Sequence, residues 1–156
     1  MTELSDTITF LGTAGARFVM IRQFLASGGT WLTLGSTQVL LDPGPGSLVQ
    51  AAKRKLDPSK LDAIILSHKH LDHSGDINVM IEAMTDGGTK KRGTVFAPVD
   101  ALNEDPVILS YLRSYPQDIQ VLTEGGSYTI NDVSFKTPVR HKHPVETYGF
   151  IFQTPR

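Results

Sequence analysis

The stretch that decides the fold is Ser67-His68-Lys69-His70-Leu71-Asp72-His73-Ser74-Gly75-Asp76. It follows Leu61–Leu66, an apolar run broken only by Asp62 that predicts a buried strand. In extended backbone, His68 and His70 point the same way because side chains alternate along a strand. Loops at strand ends commonly carry binding sites. The pattern His-x-His-x-Asp-His at such a place therefore predicts a metal centre.

Asp72 and His73 are adjacent, so in a loop that enters a helix they can face two different positions. That arrangement suits two metals a few ångströms apart better than one ion. The chain contains no cysteine, and imidazole and carboxylate are then the ligands expected for zinc, manganese or iron. The alternative is a polar loop whose histidines cap the following helix, and the density of donors favours the metal.

The remaining two of the five histidines lie in a second segment, His141-Lys142-His143-Pro144-Val145-Glu146-Thr147-Tyr148-Gly149-Phe150. All histidines thus fall in two segments of the sequence. A metal site without thiolates would need the fold to bring these segments together.

The stretch His68–His73 resembles the His-x-His-x-Asp-His signature of the metallo-β-lactamase-fold hydrolases. Val39–Gly44 is similar to that family's loop from a strand to an aspartate, and Asp62–Ser67 to the strand before the metal motif. The segment from His141 resembles the third-ligand segment of the ribonuclease Z and related phosphodiesterase branch. The resemblance covers the chain from Thr7 to Phe152.

The resemblance implies a role for each matching residue. His68, His70 and His143 correspond to ligands of a first metal, and Asp72 and His73 to ligands of a second. Asp72 also corresponds to the catalytic residue that orients or deprotonates the attacking water. The implied cofactor is a pair of divalent ions, zinc first and manganese or iron as alternatives, with the second site incomplete in this chain.

Other polar residues near these motifs keep two interpretations each. Asp42 either orients the metal loop, as ligand partners commonly do, or caps the turn before Pro43. His141 either binds the first metal or, as we favour, borders the cleft. Three cations either supply positive charge near a phosphate or are solvated surface charges, which we favour: Lys69, Arg140 and Lys142.

The implied fold is α/β (α+β), a metallo-β-lactamase-like αββα sandwich. Residues 1–156 form a single domain in this interpretation, with a complete first sheet and a partial second sheet. Periodicity and turn residues predict the elements locally. We expect helices at Ser47–Lys55, with Ser47 as its cap, from Asp76 to the stop at Asp86, and at Val107–Tyr115. We expect a hairpin loop at Gly35-Ser36 and a longer loop at Ser67–Gly75. The expected strands are Thr7–Leu11, Thr30–Leu34, Thr37–Leu41, Leu61–Leu66, Thr94–Ala97, Ile119–Leu122, Ser127–Ile130, Val133–Thr137 and Thr147–Phe152.

The family's bridging aspartate and last histidine, both downstream of the third ligand, have no counterpart here. After His143 only Glu146 offers an ionisable oxygen ligand. Three explanations compete: a piece of a longer hydrolase, which we favour, a half-module completed by a partner chain, or a non-catalytic binding module. All three leave an open sheet edge, so we expect a homo-oligomer.

Composition narrows the function classes. A formal net charge of −1 excludes a strongly basic nucleic-acid binder and does not support an RNA partner. The acidic N-terminus is unlike a secretory signal, and the longest apolar stretches, such as Phe18–Ile21, are too short to span a membrane. We expect a cytoplasmic hydrolase of a phosphodiester or other small-molecule ester. The alternatives are a lactone or thioester hydrolase and a non-enzymatic metal-binding or oligomerisation module.

Overall fold

The computed structural model describes residues 5–14 and 17–154. Its first sheet has six strands in chain order, antiparallel from β1 to β3 and parallel from β3 to β6. These strands are β1 (Thr7–Phe10), β2 (Thr30–Leu34), β3 (Thr37–Leu41), β4 (Ala63–Ile65), β5 (Thr94–Ala97) and β6 (Asp118–Val121). The second sheet is antiparallel, with β7 (Gly126–Ile130), β8 (Val133–Thr137) and β9 (Ile151–Gln153).

Two of the helices pack on one face of the first sheet, and the second sheet packs on the other. The helices are α1 (Arg17–Ile21), α2 (Ser47–Lys53), α3 (Leu71–Ser74) and α4 (Ile77–Met84), with 3₁₀ turns at Pro58–Lys60, Val99–Ala101 and Ser110–Ser114. Alternation divides the strand residues. Leu40 and Ile64 share a buried cluster with α2 and α4, whereas Val39 and Ile65 share another with the second sheet.

The parallel pairing of β3 and β4 positions the candidate site. Leu41 lies opposite Ile65, and the Asp42 amide donates to the Ile65 carbonyl at 2.8 Å. The residues that follow the two strands therefore emerge side by side at one edge of the sheet. In open α/β sheets this carboxyl edge is where ligands bind.

Several expected elements are confirmed by the structure. The bounds of β2, β3, β5 and β8 agree with the sequence, and the mixed α/β class is confirmed. Gly35 has a φ of 60° in the turn between β2 and β3. That conformation is the one that a two-residue Gly-Ser hairpin loop requires at its first position.

Several expected elements are shorter than predicted, among them the strand expected at Leu61–Leu66, which is only β4 (Ala63–Ile65). Two others differ more. The helix expected at Val107–Tyr115 is only the 3₁₀ turn. The Val107 carbonyl, which would accept from the Tyr111 amide in an α-helix, accepts from the Asn78 side-chain amide at 2.8 Å. The strand expected at Thr147–Phe152 is reduced to β9. The Tyr148 amide donates to the Ser67 carbonyl at 3.1 Å, which draws this segment away from the second sheet and toward the histidine loop.

Two local features near the site were also interpreted incorrectly. The expected loop from Ser67 to Gly75 contains the short helix α3. Gly46, and not Ser47, caps α2. The buried Ser47 hydroxyl instead accepts from the Gly29 amide at 3.1 Å and donates to the Gly44 carbonyl at 2.8 Å, tying the two loops together. In the part of the chain that the structure describes, no helix has the length and apolar character to cross a membrane.

Candidate metal centre

Three histidines converge at the carboxyl edge of the first sheet. One ring nitrogen from each of His68, His70 and His143 lies within 4.8 Å of the other two. The rings of His68 and His143 have their centroids 5.2 Å apart, and those of His70 and His143 4.9 Å apart. The three imidazoles thus surround one small space.

The backbone explains how two distant segments meet. His70 has extended backbone (φ −60°, ψ 143°) and precedes α3, so it projects on the same side as His68. Arg140 and Tyr148 form an isolated bridge, and the Tyr148 amide bonds to the Ser67 carbonyl. The loop between them is thereby folded over the end of β4, where it carries His143 to the other two rings.

Asp42 holds the histidine loop with a single carboxylate. Its Oδ1 accepts from the Ser67 amide and its Oδ2 from the Ser67 hydroxyl, both at 2.6 Å. Oδ2 also contacts His73 Nδ1 at 3.0 Å. Asp42 has a φ of 51°, a conformation that non-glycine residues adopt rarely and that concentrates at functional sites. Of its two interpretations, the structure therefore supports the orienting role.

Asp72 and His73 lie beside the three histidines. The His73 ring centroid is 4.1 Å from that of His68, and His73 Nε2 is 3.8 Å from Asp72 Oδ2. Because Asp42 engages His73 Nδ1, the other ring nitrogen, Nε2, is the one that lies near Asp72. In the described residues, only His68, His70 and His143 form a group of three converging donors.

The surroundings of His68 and His73 shift the pKa values of these two histidines in opposite directions. Burial, reinforced by the neighbouring His73, lowers the pKa of His68 to about 4. The hydrogen bond to Asp42 raises the pKa of His73 above its ordinary value. His68 is therefore neutral at physiological pH, the state in which an imidazole binds a metal.

The donor set fits a divalent first-row metal. Three imidazole nitrogens are a common zinc ligand set, and a catalytic ion keeps a further position for water or substrate. His68 is buried with an exposed fraction of 8%, whereas His70 is half-buried and His143 exposed. The three histidines therefore form a site whose inner side, at His68, is buried and whose outer side, at His143, is open to solvent.

The remaining candidates lie outside the group. His141 packs against Gly149. The Lys69 ammonium donates to the Glu104 carbonyl at 2.8 Å and to the Asp100 carbonyl at 3.4 Å, so it does not point at the histidines. Arg140 pairs with Glu146 at 3.4 Å.

Two residues of the site escaped the sequence interpretation. The Ser67 hydroxyl lies 2.9 Å from His68 Nδ1 and connects this ring to Asp42. Gly44 lies so close to the Asp72 carbonyl that a Cβ there would overlap it. The position of Ser67 directly before the first histidine was a usable signal, but the approach of Gly44 to Asp72 depends on tertiary structure.

Comparison with known proteins defines the class. The chain belongs to the family described as beta-lactamase superfamily domain, which matches residues 37–156. The structure is similar to the metallo-beta-lactamase fold protein YhfI from Bacillus subtilis, with a TM-score of 0.67 and 26% identity over 82% of this chain and 50% of that one. The resemblance inferred from the histidine signature and the metallo-β-lactamase-like fold are thus confirmed.

Two curated relatives also match the chain in sequence. An uncharacterized protein of Methanocaldococcus jannaschii is 34% identical over 142 residues, which are 88% of this chain and 53% of the relative. Ribonuclease BN of Citrobacter koseri is 30% identical over 115 residues, 71% of this chain and 37% of the relative. The chain thus spans about half the length of the first relative and less of the second.

Proposed function

We propose that this chain carries the metal centre of a metal-dependent hydrolase that acts on phosphodiesters. The observation that carries the proposal is the convergence of His68, His70 and His143, with donor atoms within 4.8 Å of one another. Membership of the beta-lactamase superfamily supports the hydrolase class. The relative named ribonuclease BN favours a phosphodiester over a lactone or thioester.

In the proposed mechanism His68, His70 and His143 would hold the first ion, which we assign as zinc. A bound divalent ion lowers the pKa of a water and polarises a phosphoryl or carbonyl oxygen. Asp72 is the proposed catalytic residue that orients or deprotonates the water. Asp42 acts through His73 and Ser67, whose positions it fixes, and so keeps the donor atoms directed to one place.

We propose that Asp72 and His73 provide part of a second metal site. They offer two donors, Asp72 Oδ2 and His73 Nε2. Tight divalent binding in proteins commonly requires three or more ligands. The first ion should therefore bind tightly and the second weakly, giving close to one retained zinc per chain.

Zinc uptake by single histidine variants tests the ligand assignment. His70→Ala and His143→Ala should each lose stoichiometric zinc, measured by elemental analysis after dialysis, because each removes one donor. His141→Ala is the matched control, since this histidine lies two residues from His143 but outside the group, and it should retain zinc. Stoichiometric zinc in His70→Ala, with circular dichroism like that of the unmodified chain, would contradict the assignment.

A substrate panel tests the reaction class. Zinc-loaded chain should hydrolyse bis(p-nitrophenyl) phosphate faster than a chromogenic lactone or β-lactam, and a chelator should abolish the activity. Faster hydrolysis of the lactone would contradict the phosphodiester assignment and favour a lactone or thioester hydrolase. Stoichiometric zinc without hydrolysis of any compound would contradict hydrolysis by this chain alone, and would leave a non-enzymatic metal-binding module or a piece of a longer hydrolase.

We also propose that the chain self-associates. The exposed fractions of Ile8 and Phe10 are 63% and 59%. Ile8 lies opposite Leu32, which belongs to the buried cluster between the two sheets. These two side chains therefore project into the layer that the second sheet occupies, and a second copy is the proposed cover. The strand β9 also leaves one edge unpaired within the described part of the second sheet.

A further inference from the structure

An apolar cavity of about 360 Å³ adjoins the histidines. It is lined by Met20 and Ile21 of α1, by Leu71, and by His70 and Asp72 of the candidate metal centre. Three apolar side chains thus form its wall, and two of the proposed metal-centre residues form its inner end. Neither the metal-ligand assignment nor the proposed reaction gives a role to Met20, Ile21 or Leu71.

The connection between β1 and β2, which includes α1, is joined by hydrogen bonds near its two ends. Residues 11–29 connect β1 to β2, and the base of this loop is joined by the Leu11 amide to the Gly29 carbonyl at 2.9 Å. Thr13 and Ala14 both donate to the Ala26 carbonyl, at 2.9 and 3.1 Å. Gly12 permits this approach, because a Cβ there would overlap the Ala26 backbone.

The helix that carries the wall is also terminated in a defined way. Gln23 has a φ of 52°, and its side-chain amide donates to the Met20 carbonyl at 2.7 Å. The Gln23 backbone amide donates to the same carbonyl at 3.0 Å, so Gln23 closes the end of α1 with both its backbone and its side chain. Met20 and Ile21 lie at this closed end of α1, and the exposed fraction of Ile21 is 59%.

The residues that line the cavity indicate which kind of chemical group could bind there. Asp72 is an acid, and no Lys or Arg is among the described residues that line the cavity. Two basic residues adjoin the lining residues in sequence, Arg22 after Ile21 and Lys69 before His70. Lys69 is directed to the carbonyls of Asp100 and Glu104, and Arg22 does not line the cavity. A second phosphate would meet a carboxylate and apolar surface there, whereas an aryl or branched alkyl group would bury apolar area.

We propose that Met20, Ile21 and Leu71 form a specificity pocket for an apolar substituent of the substrate. The preferred substrate is then a phosphodiester with an aromatic or bulky alkyl group next to the phosphorus, bound with its phosphate at the histidines. This inference rests on the proposed function for the position of the phosphate. The exposed fractions of Ile21 and Leu71 are 59% and 68%, so both apolar side chains are accessible to a bound substituent.

Binding of two phosphodiesters to the zinc-loaded chain tests the pocket. Dibenzyl phosphate should bind roughly tenfold more tightly than dimethyl phosphate by calorimetry, the scale on which apolar pockets discriminate. Ile21→Gln and Leu71→Gln should each reduce this ratio severalfold and leave dimethyl phosphate unchanged. Val49→Gln is the matched control, because Val49 is an exposed helical residue outside the cavity. Both substituted residues are exposed, so the variants should fold.

The outcomes separate the pocket from the reaction. Equal affinities, or a ratio that both glutamine variants preserve, would overturn the pocket. Hydrolysis of bis(p-nitrophenyl) phosphate in the same samples would then leave the proposed function standing. A retained preference without hydrolysis would support the pocket and count against the reaction. If the glutamine variants change the sedimentation coefficient but not the ratio, the wall is an interface between copies, and the substrate proposal fails.

Discussion

At the scale of single residues, Asp42 is the position on which the candidate centre depends. Its carboxylate bonds the amide and hydroxyl of Ser67 and contacts His73, so it holds both ends of the histidine loop. The left-handed backbone of Asp42 turns the chain sharply after β3 and directs the carboxylate at that loop. A strained backbone at such a place is consistent with a functional role.

We expect Asp42→Asn to weaken zinc binding about 10- to 100-fold, the range typical of residues that orient metal ligands. Asparagine tolerates a positive φ, so the backbone should be kept and the loss should come from the carboxylate. A competition titration with a zinc-binding dye measures the change. Asp62→Asn is the control, because Asp62 accepts from the Gln38 amide at 2.8 Å near the opposite end of β3 and β4. A similar loss of zinc affinity in both variants would indicate general destabilisation.

The shifted pKa of His68 predicts how stability depends on pH. Its pKa in the folded chain is about 4, below the ordinary 6.5, so the unfolded chain binds the proton more readily between these values. Stability is therefore full above pH 6.5 and falls with acidification. The zinc-free chain should lose on the order of 2 kcal/mol of unfolding free energy between pH 7 and 5 from this residue.

Urea denaturation with chelator present measures this dependence. His68→Gln should flatten the slope between pH 7 and 5, and His141→Gln should leave it unchanged. The raised pKa of His73 acts in another window, because its contribution is complete below pH 6.5 and is lost as the pH rises through the folded value. An unchanged acid slope in His68→Gln would refute the assignment.

At the scale of elements, the loop after β3 and helix α3 fit together only because Gly44 lacks a side chain. A Cβ on Gly44 would overlap the backbone of Asp72. Gly44 is outside the left-handed region, so the expected penalty there is steric. Helix α3 carries Asp72 and His73, and any displacement of its backbone would move both.

Gly44→Ala should therefore lower the unfolding free energy by more than Gly125→Ala and also weaken zinc binding. Gly125 has a φ of 72° and open space around its Cα, so its variant reports the conformational penalty alone, about 1 kcal/mol. Thermal denaturation and zinc titration measure the two effects. Equal losses in the two variants would show that Gly44 and Asp72 do not meet as described.

At the scale of the whole molecule, the apolar surface near β1 is the feature that a single copy does not bury. We expect the chain to form a dimer at tens of micromolar, as sedimentation velocity measures, because monomers rarely expose large contiguous apolar patches. Ile8→Thr combined with Phe10→Thr should shift the chain to monomer while keeping strand propensity. Val121→Thr, on the edge strand β6, is the control. A monodisperse monomer at high concentration without zinc would contradict self-association.

The sequence by itself determined most of the strands and the order of the motifs, because local alternation and turn residues decide these features. The density of donors in His68–His73 indicated a metal centre, and the resemblance to the metallo-β-lactamase-fold hydrolases implied that His143 joins His68 and His70. The extent of the last strand, the approach of Gly44 to Asp72 and the position of Met20 and Ile21 beside the site were decided by tertiary structure. Each depends on contacts between residues far apart in the chain. Periodicity and spacing carry no record of such contacts, because they describe only how neighbouring residues alternate.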